Sequence, residues 1–98
     1  MDVIERGGKV IITPIGELGY ESRKALQNIY NQYEPGTHYI LDLKQIDYIL
    51  SSGLGVLLML KEHNEAGSQK SRIEIINAKP EVRKILKFAH FDKLFTLF

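Results

Sequence analysis

Two serines and two glycines stand together in residues 46–58, IDYILSSGLGVLL, where a connecting segment gives way to an apolar run. Ser51 and Ser52 carry hydroxyls that can take a phosphoryl group, or attack a carbonyl if a base activates them. A strand–loop–helix unit would point the helix N-terminus out of the carboxyl edge of a sheet. Its unpaired N–H groups and dipole favour negative charge there. A phosphate on Ser51 would bring roughly −1.5 to −2 charges to backbone that can accept them. Gly53 and Gly55 take side chains out of the first helical turn, so another backbone can approach closely. A plainer role competes with this one. Ser51 or Ser52 would cap the helix through its side-chain oxygen, worth ~1 kcal/mol, and the glycines would serve packing on the sheet.

Other chemistries find less support. A hydrolase triad of Ser51, a histidine and Asp42 or Asp47 lacks the Gly-x-Ser-x-Gly elbow. His38, His63 and His90 share no metal-ligand spacing, and the absence of cysteine removes thiolate sites, disulfides and thiol catalysis. His90 is expected near a helix C-terminus, where the dipole favours it. Gly53-Leu54-Gly55 has no third glycine at the dinucleotide-binding offset. The net charge is +1 and the charges are interleaved, so nothing argues for direct nucleic-acid binding. No cofactor is expected.

The elements that position the serines follow from periodicity. A short strand starts at Val3-Ile4, Gly7-Gly8 is a hairpin signal, and residues 9–15 return. Pro14 places that strand near an edge or ends it there. Residues 16–20 are expected as loop. Residues 21–33 predict a helix with Ala25, Leu26, Ile29, Tyr30 and Tyr33 on one face, stopped by Pro35-Gly36. Residues 38–43 are a buried strand, and 44–50 connect it to the serines. A second helix runs from residue 52 to about 66, with little polar face in its first two turns and Gly67 as its C′ residue. Residues 72–76 are a strand, Pro80 opens a helix with Val82, Ile85, Leu86 and Ala89 on one face, and 95–98 form a last short strand or a docked tail. Tyr20 and Tyr48 flank the serine loop as candidate interface anchors.

This order predicts an α/β fold with a mostly parallel four- to five-stranded sheet, an N-terminal hairpin and three to four covering helices. The 98 residues suit one domain spanning 1–98. Asp2 and Glu5 fall where a signal peptide would be basic or apolar, and the longest apolar run, 54–60, is far short of the ~20 residues of a membrane span. A cytoplasmic location is the expectation.

Residues 46–58 also resemble the signature of STAS domains, the family of anti-sigma-factor antagonists. Ser51-Ser52-Gly53-Leu54-Gly55-Val56-Leu57-Leu58 carries the likeness. Ile15-Gly16-Glu17-Leu18, Ile40-Leu41-Asp42-Leu43, Val82-Arg83-Lys84-Ile85-Leu86 and Lys93-Leu94-Phe95 extend it over nearly the whole chain. The resemblance implies a STAS-like fold and a non-enzymatic regulator of transcription. It also implies a partner, an anti-sigma factor with serine kinase activity, with Ser51 as the phosphate acceptor and a serine phosphatase as a further partner. The expected partner-binding set is Gly19, Tyr20, Tyr48, Leu50, Ser51, Ser52, Gly53, Leu54 and Gly55, with the two tyrosines included for their place beside the serine loop. Homodimer formation stays open. Leu50 and Gly19 stand where the family often has Asp, so two acidic groups beside the acceptor are missing. These departures favour an alternative, a STAS subunit of a larger assembly such as a transport complex, without phosphorylation.

Overall fold

The computed structural model describes residues 1–70 and 72–98, Ser68 by its backbone only. β1 (Asp2–Arg6) and β2 (Lys9–Thr13) form the hairpin, closed by Gly7 and Gly8 at φ 58° and 78°. β3 (Gly16–Leu18), α1 (Ser22–Tyr30), β4 (His38–Asp42), β5 (Ile46–Ile49) and α2 (Ser51–Asn64) follow. The chain ends through β6 (Arg72–Ile76), α3 (Pro80–Phe88) and β7 (Thr96–Leu97), with short 3-10 turns at Ala66–Ser68 and Phe91–Lys93.

The main sheet has the order β1-β2-β4-β6-β7, parallel except for the hairpin. Alternation along its central strands separates two faces. Val10, Ile12, Tyr39, Leu41, Ile73 and Ile75 are buried, and the intervening Ile11, Ile40 and Ile76 are half-buried. Leu26 and Tyr30 of α1, Val56, Leu57 and Leu60 of α2, and Val82 and Leu86 of α3 pack into the same core, with Leu18, Leu43, Ile46, Ile49, Phe91 and Phe95. Fully burying each such aliphatic side chain stabilises the fold by roughly 1.5–3 kcal/mol before chain entropy is counted.

Pro14, which has no N–H, ends β2 as expected, one strand in from the sheet edge. The structure corrects the expected elements in three places. Residues 16–18 and 46–49, expected as loop and connection, pair in parallel as a separate two-stranded sheet. α1 stops at Tyr30, because Gln32 and Tyr33 donate to Ile29 and Tyr30 in a tightened three-residue pattern (3.0 and 3.2 Å), and Ala25 is exposed. α2 ends at Asn64, so Gly67, at φ 69°, lies in the following 3-10 turn. The C-terminal segment is a strand: β7 pairs with β6, Phe98 N–H donates to the Ile75 carbonyl (2.9 Å), and Arg83 donates to the Phe98 carbonyl (2.7 Å).

Candidate functional site

The small sheet delivers the serines. β5 runs beside β3 with Glu17 opposite Tyr48 and Leu18 opposite Ile49, and the Leu50 N–H donates to the Leu18 carbonyl (2.9 Å). Leu50 is extended (φ −79°, ψ 162°), and its carbonyl accepts from Gly53 (2.8 Å) and Leu54 (3.2 Å). Leu50 is therefore the cap residue of α2, and no side chain caps this end. This corrects the expected serine cap. The helix begins one residue early, so Ser51 and Ser52 are its first two residues and sit past the capping position. Their N–H groups are first-turn donors without an intrahelical acceptor. Both serines are exposed.

The two glycines of the motif part company. A Cβ on Gly53 would lie 2.2 Å from the Leu18 carbonyl oxygen and 2.6 Å from its carbon. Gly53 is buried, and its lack of a side chain lets α2 seat on β3. A Cβ on Gly55 would meet nothing within 4 Å, and Gly55 is exposed. Gly53 thus serves packing, and Gly55 leaves bare backbone one turn along the helix from Ser51.

The β3–α1 turn stands beside the serines. Ser22 holds it: its hydroxyl accepts from the Gly19 N–H (3.2 Å) and donates to the Glu17 carbonyl (3.3 Å). Gly19 is buried under Leu50, whose Cδ1 would be 2.9 Å from a Cβ at position 19, with Ser52 Oγ at 3.6 Å. Glu17, Gly19, Tyr20, Glu21, Ser22, Leu50 and Ser52 line one depression at the head of α2. Tyr20 is 70% exposed and Tyr48, on β5, is 52% exposed. Leu54 instead lines a shallow apolar hollow with Lys84, Ile85, Phe88 and Ala89.

Four of the expected partner-binding residues, Gly19, Tyr20, Leu50 and Ser52, therefore share that depression. Ser51 lies between two of its lining residues without lining it, and Tyr48 and Leu54 do not line it either. Glu17, Glu21 and Ser22 were not on the sequence-based set. The only signal for them was their closeness to Gly19 in the chain, because the β3–β5 pairing was not legible. Charge at the site is balanced between opposing effects. The open N–H groups favour an anion, and the Glu17 and Glu21 carboxylates oppose one.

The residues of the imagined triad are engaged elsewhere. The buried Asp42 accepts from the Lys44 N–H (3.1 Å) and the Asn77 side-chain amide (3.2 Å), and exposed Asp47 pairs with Lys79. His38 pairs with Glu74, and His63 contacts the Tyr33 carbonyl (3.4 Å) and lies against the Tyr30 ring (4.6 Å between centroids). His90 follows the α3 cap residue Ala89 and takes the left-handed conformation (φ 62°), so it closes the helix end by backbone geometry. Among the described residues no group of three or more His, Asp or Glu is placed to hold a metal ion, and no helix is long and apolar enough to cross a membrane.

The profile of the STAS domain matches residues 1–98. The chain belongs to the STAS domain family. Among curated proteins, it is 44% identical over 59 residues to a STAS-domain containing protein of Pseudomonas aeruginosa strain UCBPP-PA14. That match covers 60% of this chain and 56% of the relative, so the chain spans little more than half the length of the relative it matches. Among solved structures, it superposes on an anti-sigma factor antagonist from Mycobacterium paratuberculosis with TM-score 0.77 at 20% identity, covering 98% of this chain and 81% of that one. It superposes on the Bacillus cell fate determinant SpoIIAA in its phosphorylated form with TM-score 0.65 at 21% identity, covering 99% and 89%. At these identities the structural likeness establishes the fold: a mostly parallel sheet, an N-terminal hairpin and three α-helices of the STAS type.

Proposed function

We propose that this STAS domain is a cytoplasmic anti-sigma-factor antagonist, a protein-binding regulator of transcription with no catalysis of its own. Its partner is an anti-sigma factor with serine kinase activity, and phosphorylation of Ser51 switches the contact off. The observation that carries this reading is the exposed Ser51 at the open head of α2, between Leu50 and Ser52, which line a depression with the Gly19–Ser22 turn, and one helical turn before the bare backbone of Gly55. Unphosphorylated, this surface offers a partner two hydroxyls, two free N–H groups and the exposed rings of Tyr20 and Tyr48. Aromatic side chains of this kind often carry much of the binding energy of an interface. A phosphate on Ser51 Oγ adds roughly −1.5 to −2 charges that a close contact would have to desolvate or repel, so the complex weakens. A serine phosphatase would restore the binding form.

The test is to incubate the chain with its cognate anti-sigma factor kinase and ATP and to map the product by mass spectrometry. Phosphate on Ser51, and weaker binding of that product, is the expected result. An active kinase that leaves Ser51 unmodified would overturn the switch. The contact of Leu50 with Gly19 favours a second reading, a STAS subunit of a larger assembly without phosphorylation. An apolar methyl there fills a place where a carboxylate would otherwise orient the serine. That reading predicts that Ser51→Asp leaves partner binding unchanged.

A further inference from the structure

β1 is a free edge of the main sheet, and all five of its residues are exposed. The hairpin fixes which of its backbone groups are free. Arg6 faces Lys9 across Gly7 and Gly8, whose positive φ angles make a two-residue turn. The pair that closes such a turn exchanges both backbone hydrogen bonds, and bonded and non-bonded pairs then alternate along the ladder. Arg6, Ile4 and Asp2 therefore bond inward to β2, while the N–H and C=O groups of Val3 and Glu5 point out of the sheet. Such an edge is a template for another strand.

We propose that the strand it takes is β1 of a second copy of this chain, paired antiparallel about a two-fold axis through Ile4. In this register Val3 faces Glu5 of the other copy, and these are the positions whose backbone groups point outward. Asp2 faces Arg6 twice across the axis, in non-hydrogen-bonded pairs, where side chains approach most closely. Ile4, 52% exposed in the single chain, meets its own copy. Ile4 pairs with Ile11, and Ile11 with Ile40, on the half-covered face of the sheet. The dimer would make one apolar row of these residues across two sheets.

Charge selects this register over its neighbours. A shift of two residues one way sets Glu5 against Glu5. A shift of two the other way sets Asp2 opposite Ile4 and breaks both Asp2–Arg6 pairs. A shift of one residue puts an outward-bonding position opposite an inward-bonding one. Charges on an edge strand normally repel a second copy. Here their order, acid at one end and base at the other, makes the strand complementary to itself. Self-complementarity is the requirement of a two-fold interface.

The experiment is sedimentation analysis of the chain from micromolar to millimolar concentration, with Asp2→Arg, Arg6→Asp and an equimolar mixture of the two. The expected result is a reversible wild-type dimer. Each single reversal places two like-charge pairs in the ladder and should raise the dimer Kd by about tenfold or more. The mixture should restore association, because Asp2→Arg presents two bases to the two acids of Arg6→Asp. A chain that stays monomeric at millimolar concentration overturns the proposal. So does a dimer whose Kd the reversals leave unmoved, or a mixture no tighter than its components. Both positions are exposed, and recovery in the mixture can come only from folded, complementary chains.

Discussion

Leu50 occupies the space that a side chain on Gly19 would need: its Cδ1 is 2.9 Å from the position of a Cβ there. Gly19 has no left-handed backbone angle, so this methyl is the main obstacle to a larger residue. Gly19 makes room and Leu50 fills it. Gly19→Ala alone should destabilise by about 1 kcal/mol, because Leu50 must turn away from its packed position. In a Leu50→Ala background the same substitution should cost almost nothing. A double-mutant cycle by urea unfolding checks the coupling, which for touching residues is about 0.5–3 kcal/mol. Strictly additive effects would show that the two positions are independent.

Gly53 and Gly55 should respond to alanine in opposite ways. At Gly53 the new methyl overlaps backbone, the Leu18 carbonyl, which has no rotamer to yield. Gly53→Ala should cost at least about 2 kcal/mol as α2 is forced off β3. At Gly55 the methyl meets open space, and Gly55→Ala should stabilise by up to about 1 kcal/mol through helix propensity. If a partner backbone lies over Gly55, that more stable variant will bind the proposed anti-sigma-factor partner more weakly. Thermal melts and binding isotherms on the same two variants separate the roles.

Sequence patterning revealed the main sheet because its strands are short runs dense in β-branched and aliphatic residues, as in KVIIT and RIEII. It did not reveal the β3–β5 sheet. β3 has three residues with a register shift between Gly16 and Glu17, and β5 exposes Asp47 and Tyr48 between two buried isoleucines. Neither segment shows a period of two long enough to recognise. The same gap explains the site. Ser51 and Gly55 stood out by residue type, but the meeting of residues 17–22 with residues 50–52 depends on that unseen pairing. The serine cap failed for a local reason, since Leu50 took the extended cap geometry that serine usually prefers.

Tyr39 is fully buried, and its hydroxyl has no hydrogen-bond partner among the described residues. Burial pushes the phenol up to about 12, and the neighbouring Thr37 hydroxyl, itself donating to the Glu34 carbonyl (2.6 Å), offsets only part of that. The folded chain holds the neutral form. Its contribution to stability is complete below the ordinary tyrosine value of 10.0 and is lost as pH rises through about 12. Absorbance titration at alkaline pH should show a late tyrosine phase that Tyr39→Phe removes. At neutral pH that variant should be as stable as the wild type, or more stable by about 1 kcal/mol, because it deletes a buried unpaired hydroxyl. A loss of 2 kcal/mol or more would mean that the hydroxyl is satisfied in solution.

A negative charge at Ser51 should have opposite effects on the fold and on the complex. In the free chain, Ser51→Asp places a carboxylate on the first residue of α2, beside N–H groups that no side chain caps. The helix dipole should then raise stability by about 0.3–1 kcal/mol at low ionic strength. The gain should fade in 1 M salt, where the screening length falls to about 3 Å. Ser52→Asp tests the surroundings. It meets the same dipole, but Ser52 lines the depression that also holds Glu17 and Glu21, so its gain should be smaller or negative. In the proposed complex, the added charge at position 51 must be desolvated, and binding to the proposed anti-sigma-factor partner should weaken while the fold does not. Melts at two salt concentrations and a binding isotherm for each variant are sufficient. If Ser51→Asp lost stability and affinity together, the effect would be damage to α2 and not a switch. A variant that gained stability and kept full affinity would instead place the partner surface elsewhere on the domain.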